Sequence, residues 1–186
     1  MRNLNSFKLQ RGALLLEVLV TLIILAIGLL GLAGLQTRLQ ALEMESYQRA
    51  QALLLLNDMV NRIQTNQNAA GSYVTAQALG AGEACPLGVA TQQERDLSEW
   101  CTALQGAAEK SGSSSVGAMV GGRGCVESVG SNQYMITVVW QGLTPISAPP
   151  ASVSCGAGLY DSATSKCSDD LCRRAITTIV RIATLS

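Results

Sequence analysis

Between Val18 and Leu35 the chain runs for 18 residues without a charged side chain. As an α-helix this segment is roughly 27 Å long at about 1.5 Å per residue, which approaches the thickness of a bilayer core. The first 11 residues contain Arg2, Lys8 and Arg11 and no acidic residue. The positive-inside rule therefore predicts a cytoplasmic N-terminus, a single membrane crossing and an external C-terminal portion.

Two other interpretations of this apolar segment stay open at the level of composition. A secretory signal peptide would be cut after the segment, near Ala33 and Gly34, and would release a soluble product. Glu17, at the head of the segment, argues against that interpretation because a carboxylate in hydrocarbon is costly unless something compensates it. Glu17 would alternatively lie among the lipid headgroups, at the end of a plain anchor.

The residues ahead of the apolar segment, Arg11-Gly12-Ala13-Leu14-Leu15-Leu16-Glu17, resemble the class III signal of type IV prepilins. In that family a prepilin peptidase cuts after the glycine on the cytoplasmic side and methylates the new N-terminus. The resemblance implies a leader peptide over residues 1–12, cleavage between Gly12 and Ala13, N-methylation at Ala13 and a retained segment 13–35. Ala13 and Leu14 depart from the family, which usually has Phe and often Thr or Ser there.

The same resemblance gives Glu17 an assembly role, since it would be the fifth residue of the mature chain. A carboxylate and an α-amino group each cost several kcal/mol in hydrocarbon. Glu17 of one subunit is therefore expected to pair with the Ala13 ammonium of its neighbour. Gly28, Gly31 and Gly34 follow in the same helix, and they indicate either local melting during filament packing or a small-residue face for helix association.

Beyond the apolar segment, the pattern of apolar residues predicts that the helix continues to about Asn66. Apolar residues recur at steps near three and four, at Leu35, Leu39, Leu42, Leu53, Leu56, Val60 and Ile63. Residues 36–66 thus form the amphipathic half of a helix that starts at Ala13 and is roughly 80 Å long at about 1.5 Å per residue. The polar residues around Asn66, followed by Gly71, predict its end.

Residues 67–186 are predicted to form a periplasmic head domain. Thr91 and Glu94 make a capping box ahead of a short second helix, whose apolar face is Leu97, Trp100, Cys101 and Leu104. The sequence DLSEW within this helix resembles a pattern of the minor pilin family PilV, the type IV pilus modification proteins. Trp100 is expected to anchor the core, with ligand binding as the alternative.

Alternating apolar residues predict three strands in the head, at Cys125–Val129, Gln133–Gln141 and Arg174–Ala183. The first two are joined by a turn at residues 130–132, and residues 142–170 form a long connection. The Gly/Ser-rich stretch 111–124 is predicted to be a loop. Together these elements predict an α+β, type IV pilin-like fold, in which a small antiparallel sheet packs against the amphipathic half of the long helix.

Six cysteines lie beyond the apolar segment, at Cys85, Cys101, Cys125, Cys155, Cys167 and Cys172. An even number in a translocated portion predicts disulfides formed in the periplasm. The pairs expected are Cys85–Cys101, Cys125–Cys172 and Cys155–Cys167. A zinc site at Cys167 and Cys172 is not favoured, since the chain has no histidine and no second closely spaced cysteine pair. No metal and no cofactor are expected.

The family resemblance implies a minor pilin of a type IV pilus. Such a subunit helps to prime assembly, lies at or near the filament tip, and contributes to twitching motility and adhesion. Its expected partners are other minor pilins, the major pilin, prepilin peptidase and the inner membrane. It would reside in the inner membrane with a periplasmic head and would then enter the pilus.

Other functions are weighed against this one. An I-type minor pseudopilin of a type II secretion system shares the N-terminal pattern. A tip adhesin or DNA-binding minor pilin would present a basic patch formed by Lys166, Arg173, Arg174 and Arg181. Nucleic acid is not an expected partner, because 13 basic and 13 acidic residues leave no net charge. An enzyme is disfavoured because histidine, the usual general base, is absent.

Overall fold

The computed structural model describes residues 7–107, 110–111, 114–115 and 119–183, and it describes side chains over 14–107 and 119–183. The chain divides into two units, Met1–Met44 and Glu45–Ser186. It combines a long N-terminal apolar helix, a small four-stranded antiparallel sheet and three disulfides, which is the α+β arrangement that the sequence predicts.

The regular elements follow the predicted order. They are α1 (Phe7–Thr65), a 3-10 helix (Gln67–Tyr73), β1 (Leu79–Gly80), α2 (Gln92–Leu104), β2 (Lys110–Ser111), β3 (Ser114–Ser115), β4 (Arg123–Gly130), β5 (Gln133–Gln141) and β6 (Arg173–Arg181). Three short strands, β1 to β3, were not predicted. Within the predicted loop 111–124, residues 112–113 and 116–118 lie outside the described residues, β2 and β3 pair as a small antiparallel ladder, and β4 begins at Arg123.

The first unit, over its described residues, is a single stretch of α1. None of the apolar window of this helix is buried within the structure, and leucine, isoleucine and valine side chains project from it on all sides. A helix that is apolar all round needs an apolar environment. By length and composition α1 can cross a membrane, a criterion that an N-terminal signal sequence also meets.

The second unit is built around a sheet with the order β1-β4-β5-β6, in which every described pairing is antiparallel. On β5 the predicted alternation is confirmed, since Tyr134, Ile136, Val138 and Trp140 are all buried. They share one sheet face and pack in a single cluster with Ala52, Leu56, Met59 and Ile63 of α1. Sequence periodicity predicted both the apolar face of β5 and the apolar face of α1, and the core forms where these two faces meet.

Trp100 is the largest fully buried side chain of this core. Its indole N–H donates to the backbone carbonyl of Leu55 in α1, 2.9 Å away. On its other side the ring lies on the backbone of Gly124 in β4, where a Cβ would stand 2.2 Å from Trp100 Cη2. Trp100 therefore joins α2 to both the long helix and the sheet, and it is a core anchor rather than a ligand-binding residue.

The opposite face of the sheet is covered by the 142–172 connection, which the sequence identifies only as a long loop. A second buried cluster forms there from Cys125, Val139, Cys155 and Tyr160. Arg173 holds this loop down, because its Nη1 donates to the carbonyls of Val153 and Cys155, both at 2.9 Å. Its Nη2 forms a 3.0 Å ion pair with Asp170.

The disulfide prediction is right for one pair and wrong for two. Cys85 is bonded to Cys101 as expected. Cys125 is bonded to Cys155 rather than Cys172, because the loop folds back over the sheet and brings Cys155 against β4. Cys167 is bonded to Cys172 rather than Cys155, since a tight turn returns the chain within five residues. Asp169 and Asp170, at φ 53° and 60°, make that turn.

The contact between Trp100 and Gly124 gives a direct test of the core. Gly124→Ala should lower the free energy of unfolding by about 3 kcal/mol, because the added methyl group has no space beside the indole. Gly130→Ala is the matched control, since its added Cβ would meet only the Gln133 side chain, at 3.6 Å and beyond. Denaturant unfolding of the full chain in detergent, followed by tryptophan fluorescence, measures both. Equal stability of the two variants would contradict the packing described.

Candidate assembly interface and the network that supports the head

Two threonine hydroxyls of the apolar helix are satisfied within the helix, whereas the carboxylate of Glu17 is not. The hydroxyl of Thr21 donates to the carbonyl of Val18 at 2.8 Å, and that of Thr37 donates to the carbonyl of Ala33 at 3.1 Å. A helix in hydrocarbon needs such internal partners, since no water is present to supply them. Glu17 is exposed, and no described residue forms a hydrogen bond or ion pair with it.

The predicted processing site lies in the same helix. Gly12 and Ala13 have helical backbone as part of α1, while their side-chain surroundings lie outside the described residues. Ala13 precedes Glu17 by four positions, and residues four positions apart lie on the same face of an α-helix. The three residues named by the sequence thus fall within two turns of one continuous helix.

Gly28, Gly31 and Gly34 are not required by contacts within the chain. A Cβ added at any of the three would meet no atom within 4 Å. Each glycine weakens the helix by about 1 kcal/mol relative to alanine. The described contacts therefore do not distinguish between the two predicted uses of these glycines, which are helix loosening and close approach of another helix.

In the second unit, the DLSEW segment fastens α2 to α1 at two points. Trp100 supplies one, through the carbonyl of Leu55 described above. Asp96 supplies the other, since it is 4% exposed and its Oδ1 accepts from Arg62 Nη1 at 3.0 Å. Arg62 also contacts Asp58 and Glu99, at 2.9 and 2.8 Å. The Asp and Trp residues of the DLSEW segment thus serve to pack α2 against α1.

Tyr73 completes this network from the 3-10 helix. It is fully buried, its hydroxyl donates to Asp96 Oδ2, and Asn66 Nδ2 donates to that hydroxyl at 3.1 Å. Burial, together with the hydrogen bond to the Asp96 carboxylate, raises the pKa of Tyr73 to about 12. Burial lowers the pKa of Arg62, but its hydrogen bonds to Glu99, Asp58 and Asp96 outweigh this, so the Arg62 pKa lies above its ordinary value.

Sequence reasoning did not identify Arg62, Tyr73 and Asp96 as a group. One signal was available: Asp96 stands four residues before Trp100, so it shares the buried face of α2, where a carboxylate requires a partner. Nothing in the sequence names that partner, because Arg62 is 34 residues away from Asp96.

The raised Tyr73 pKa predicts a loss of stability at alkaline pH. The pKa of Tyr73 in the folded chain, about 12, lies above the ordinary 10.0. The stabilisation that the protonated Tyr73 hydroxyl provides is therefore complete below pH 10 and is lost as the pH rises towards 12. We expect about 1–2 kcal/mol to be lost over this range, measured by urea unfolding at stepped pH. Tyr73→Phe should have a lower free energy of unfolding near neutral pH, and this free energy should depend less on pH above pH 10. A slope identical to that of the unaltered chain would contradict the assignment.

The four basic residues considered for DNA binding do not form a presented patch. Arg173 is 3% exposed and is occupied by the loop carbonyls and Asp170. Arg174 pairs with Glu45 at 3.3 Å and donates to the Thr144 carbonyl at 2.6 Å. The ion pair of Arg173 with Asp170 is thus a buried structural contact rather than part of a solvated surface patch. Lys166 and Arg181 remain exposed.

Within the described residues, no group of three or more potential ligands from histidine, cysteine, aspartate and glutamate is placed to hold a metal ion. All the cysteines are paired in disulfides. Comparison with known proteins finds no match among protein-family models, curated proteins or solved structures. The likeness to type IV prepilins accordingly rests on residues 11–17 and on the DLSEW segment.

Proposed function

We propose that this chain is a minor pilin of a type IV pilus, processed between Gly12 and Ala13 and held in the filament by its N-terminal helix. The observation that carries the proposal is Glu17, an exposed carboxylate with no partner among the described residues, at the head of an apolar helix of membrane length. A plain anchor gains nothing from a charge at this position.

An assembly role gives this charge a partner. Cleavage after Gly12 creates a new ammonium group at Ala13, and methylation of this primary amine gives a secondary amine that is still basic. Within one helix that ammonium stands one turn from Glu17, and in an array of parallel helices it also faces the Glu17 of an adjacent subunit. Pairing removes the cost of two isolated charges and sets the axial register between subunits.

The head is suited to work outside the cytoplasm. Three disulfides close its loops in a portion of about 140 residues whose core is modest. The stretch of α1 from Glu45 to Thr65 belongs to that core, since Ala52, Leu56, Met59 and Ile63 are buried in it. We propose that the head is presented in the periplasm and then on the filament, at or near its tip, beside other minor pilins and the major pilin.

Processing gives the first test. The mature protein, purified from membranes, should begin with N-methylated Ala13 and keep the apolar helix, as shown by intact mass and N-terminal peptide mass spectrometry. Deletion of the prepilin peptidase should leave the full-length chain. A mature N-terminus near Leu35 would overturn the proposal, because it would show a secretory signal peptide.

Glu17 gives the second test. Glu17→Ala should insert into the inner membrane at normal levels and reach sheared filaments at a small fraction of the normal amount, because the Ala13 ammonium loses its partner. Glu43→Ala is the matched control, an exposed carboxylate of the same helix beyond the apolar segment. Immunoblots of membrane and filament fractions measure both. Full incorporation of Glu17→Ala would show that the pairing does not occur.

A further inference from the structure

The two edges of the head sheet differ in how their backbone groups are satisfied. At the β4 edge, residues 75–81 cover the strand: Thr75 N–H donates to Val126 O at 2.9 Å, and Ala81 N–H donates to Gly122 O at 2.9 Å. The opposite edge is β6, which pairs with β5 on one side only. β6 is nine residues long and contains no proline.

The register of β5 and β6 fixes which β6 groups point outward. Antiparallel pairs alternate between hydrogen-bonded and non-hydrogen-bonded residues. At the two ends of this ladder, Gly142 N–H donates to Cys172 O at 2.8 Å and Ile182 N–H donates to Asn132 O at 2.9 Å. Even-numbered β6 residues therefore bond to β5, as in the Ile136–Thr178 pair. The odd-numbered residues direct their N–H and C=O groups away from the sheet.

Four consecutive outward positions are thus available on β6, at Ala175, Thr177, Ile179 and Arg181. Among the described residues, none donates to or accepts from their backbone groups. Thr177, Ile179 and Arg181 are also exposed through their side chains, Ile179 by 53%. Proteins usually blunt such an edge with proline, a bulge, a lysine or a covering segment. The four outward positions themselves contain no proline, lysine or bulge, and Arg181 is the charged residue among them. Residues 146–150 line a groove beside Ala175 and Thr177, whereas Ile179 and Arg181 lie beyond that groove.

We propose that the β6 edge accepts an extended segment of another protein chain, which adds a strand to the sheet and carries a carboxylate opposite Arg181. Main-chain hydrogen bonds provide the affinity in this mode of recognition, and alternate side chains provide the specificity. Of the three arginines of β6, Arg173 is paired with Asp170 and Arg174 with Glu45. No described residue forms an ion pair with Arg181, so its guanidinium is available to the incoming strand.

A second copy of this chain fits the edge less well than an acidic strand. Two β6 strands that overlap fully and antiparallel are centred on Thr177, which places Arg181 of each copy opposite Arg173 of the other. Because Arg173 is buried and already paired with Asp170, this arrangement offers Arg181 no carboxylate. An acidic occupant supplies one, and opposite charges that face each other across two strands are stabilising. This inference goes beyond the proposed function, since it depends on the β6 edge alone.

Hydrogen–deuterium exchange of the full chain in detergent micelles tests the proposal. The probes are two synthetic peptides in which threonine and valine alternate, one ending in glutamates and the other in lysines. The glutamate peptide should slow exchange of the amides of Ala175, Thr177, Ile179 and Arg181 by roughly tenfold, and the lysine peptide should do so much less. Amides bonded to β5, such as that of Thr178, should not change.

Proline substitution separates strand addition from folding. Thr177→Pro removes an N–H that no described residue uses, so the head should stay folded while protection by the glutamate peptide is lost. Thr178→Pro removes an N–H that bonds to β5, so it should unfold the ladder. Ile179→Lys places a lysine on the edge without altering the backbone, and it should also block protection.

Three results would overturn the proposal. The first is no protection of the outward amides at saturating glutamate peptide. The second is equal protection by the two peptides, which would remove the role of Arg181. The third is a dimer of the chain in sedimentation experiments that is lost in Thr177→Pro, which would show that a second copy occupies the edge.

Discussion

The position of Trp100 is the constraint on which the rest of the head depends. Its ring fills the space between α2, the long helix and β4, and only a glycine at position 124 leaves room for it. Its N–H is satisfied by the carbonyl of Leu55, so burial leaves no indole donor unpaired. The Asp96–Arg62 pair fixes the same helix one turn away. These contacts set where α2 lies, and the sheet and the loop 75–81 follow from it.

The two faces of the sheet are held by different physical means. The helix-side face is closed by apolar packing of β5 on α1 and α2. The other face has only a small apolar cluster, and the 142–172 loop is held on it by the Cys125–Cys155 disulfide and by the buried Arg173 guanidinium. Two arginines that resembled a DNA-binding patch in the sequence are thus structural. A basic residue count says little about function until the partners of each cation are known.

The two proposals concern different units of the chain and rest on the same kind of observation. In the part of the chain that the structure describes, Glu17 is a charge without a partner on an apolar helix, and the outer edge of β6 is a row of backbone donors and acceptors without partners. In each case the described chain leaves strong polar groups unsatisfied by protein, while comparable groups nearby are satisfied. Polar groups that a subunit leaves open in this way are natural places for a second chain to bind.

The sequence by itself determined the features that follow a local pattern. These are the apolar helix, the amphipathic residues that follow it, the capping box of α2 and the alternation along β5. The Cys85–Cys101 pair was predicted correctly, but as part of one choice among 15 possible connectivities. Only the tertiary structure decided the other two disulfides, the Asp96–Arg62–Tyr73 network, the burial of Arg173 and the open β6 edge. Periodicity reports on neighbours along one element, whereas these features depend on how a long irregular loop folds back. That path is set by contacts between residues far apart in the chain, which no local pattern records.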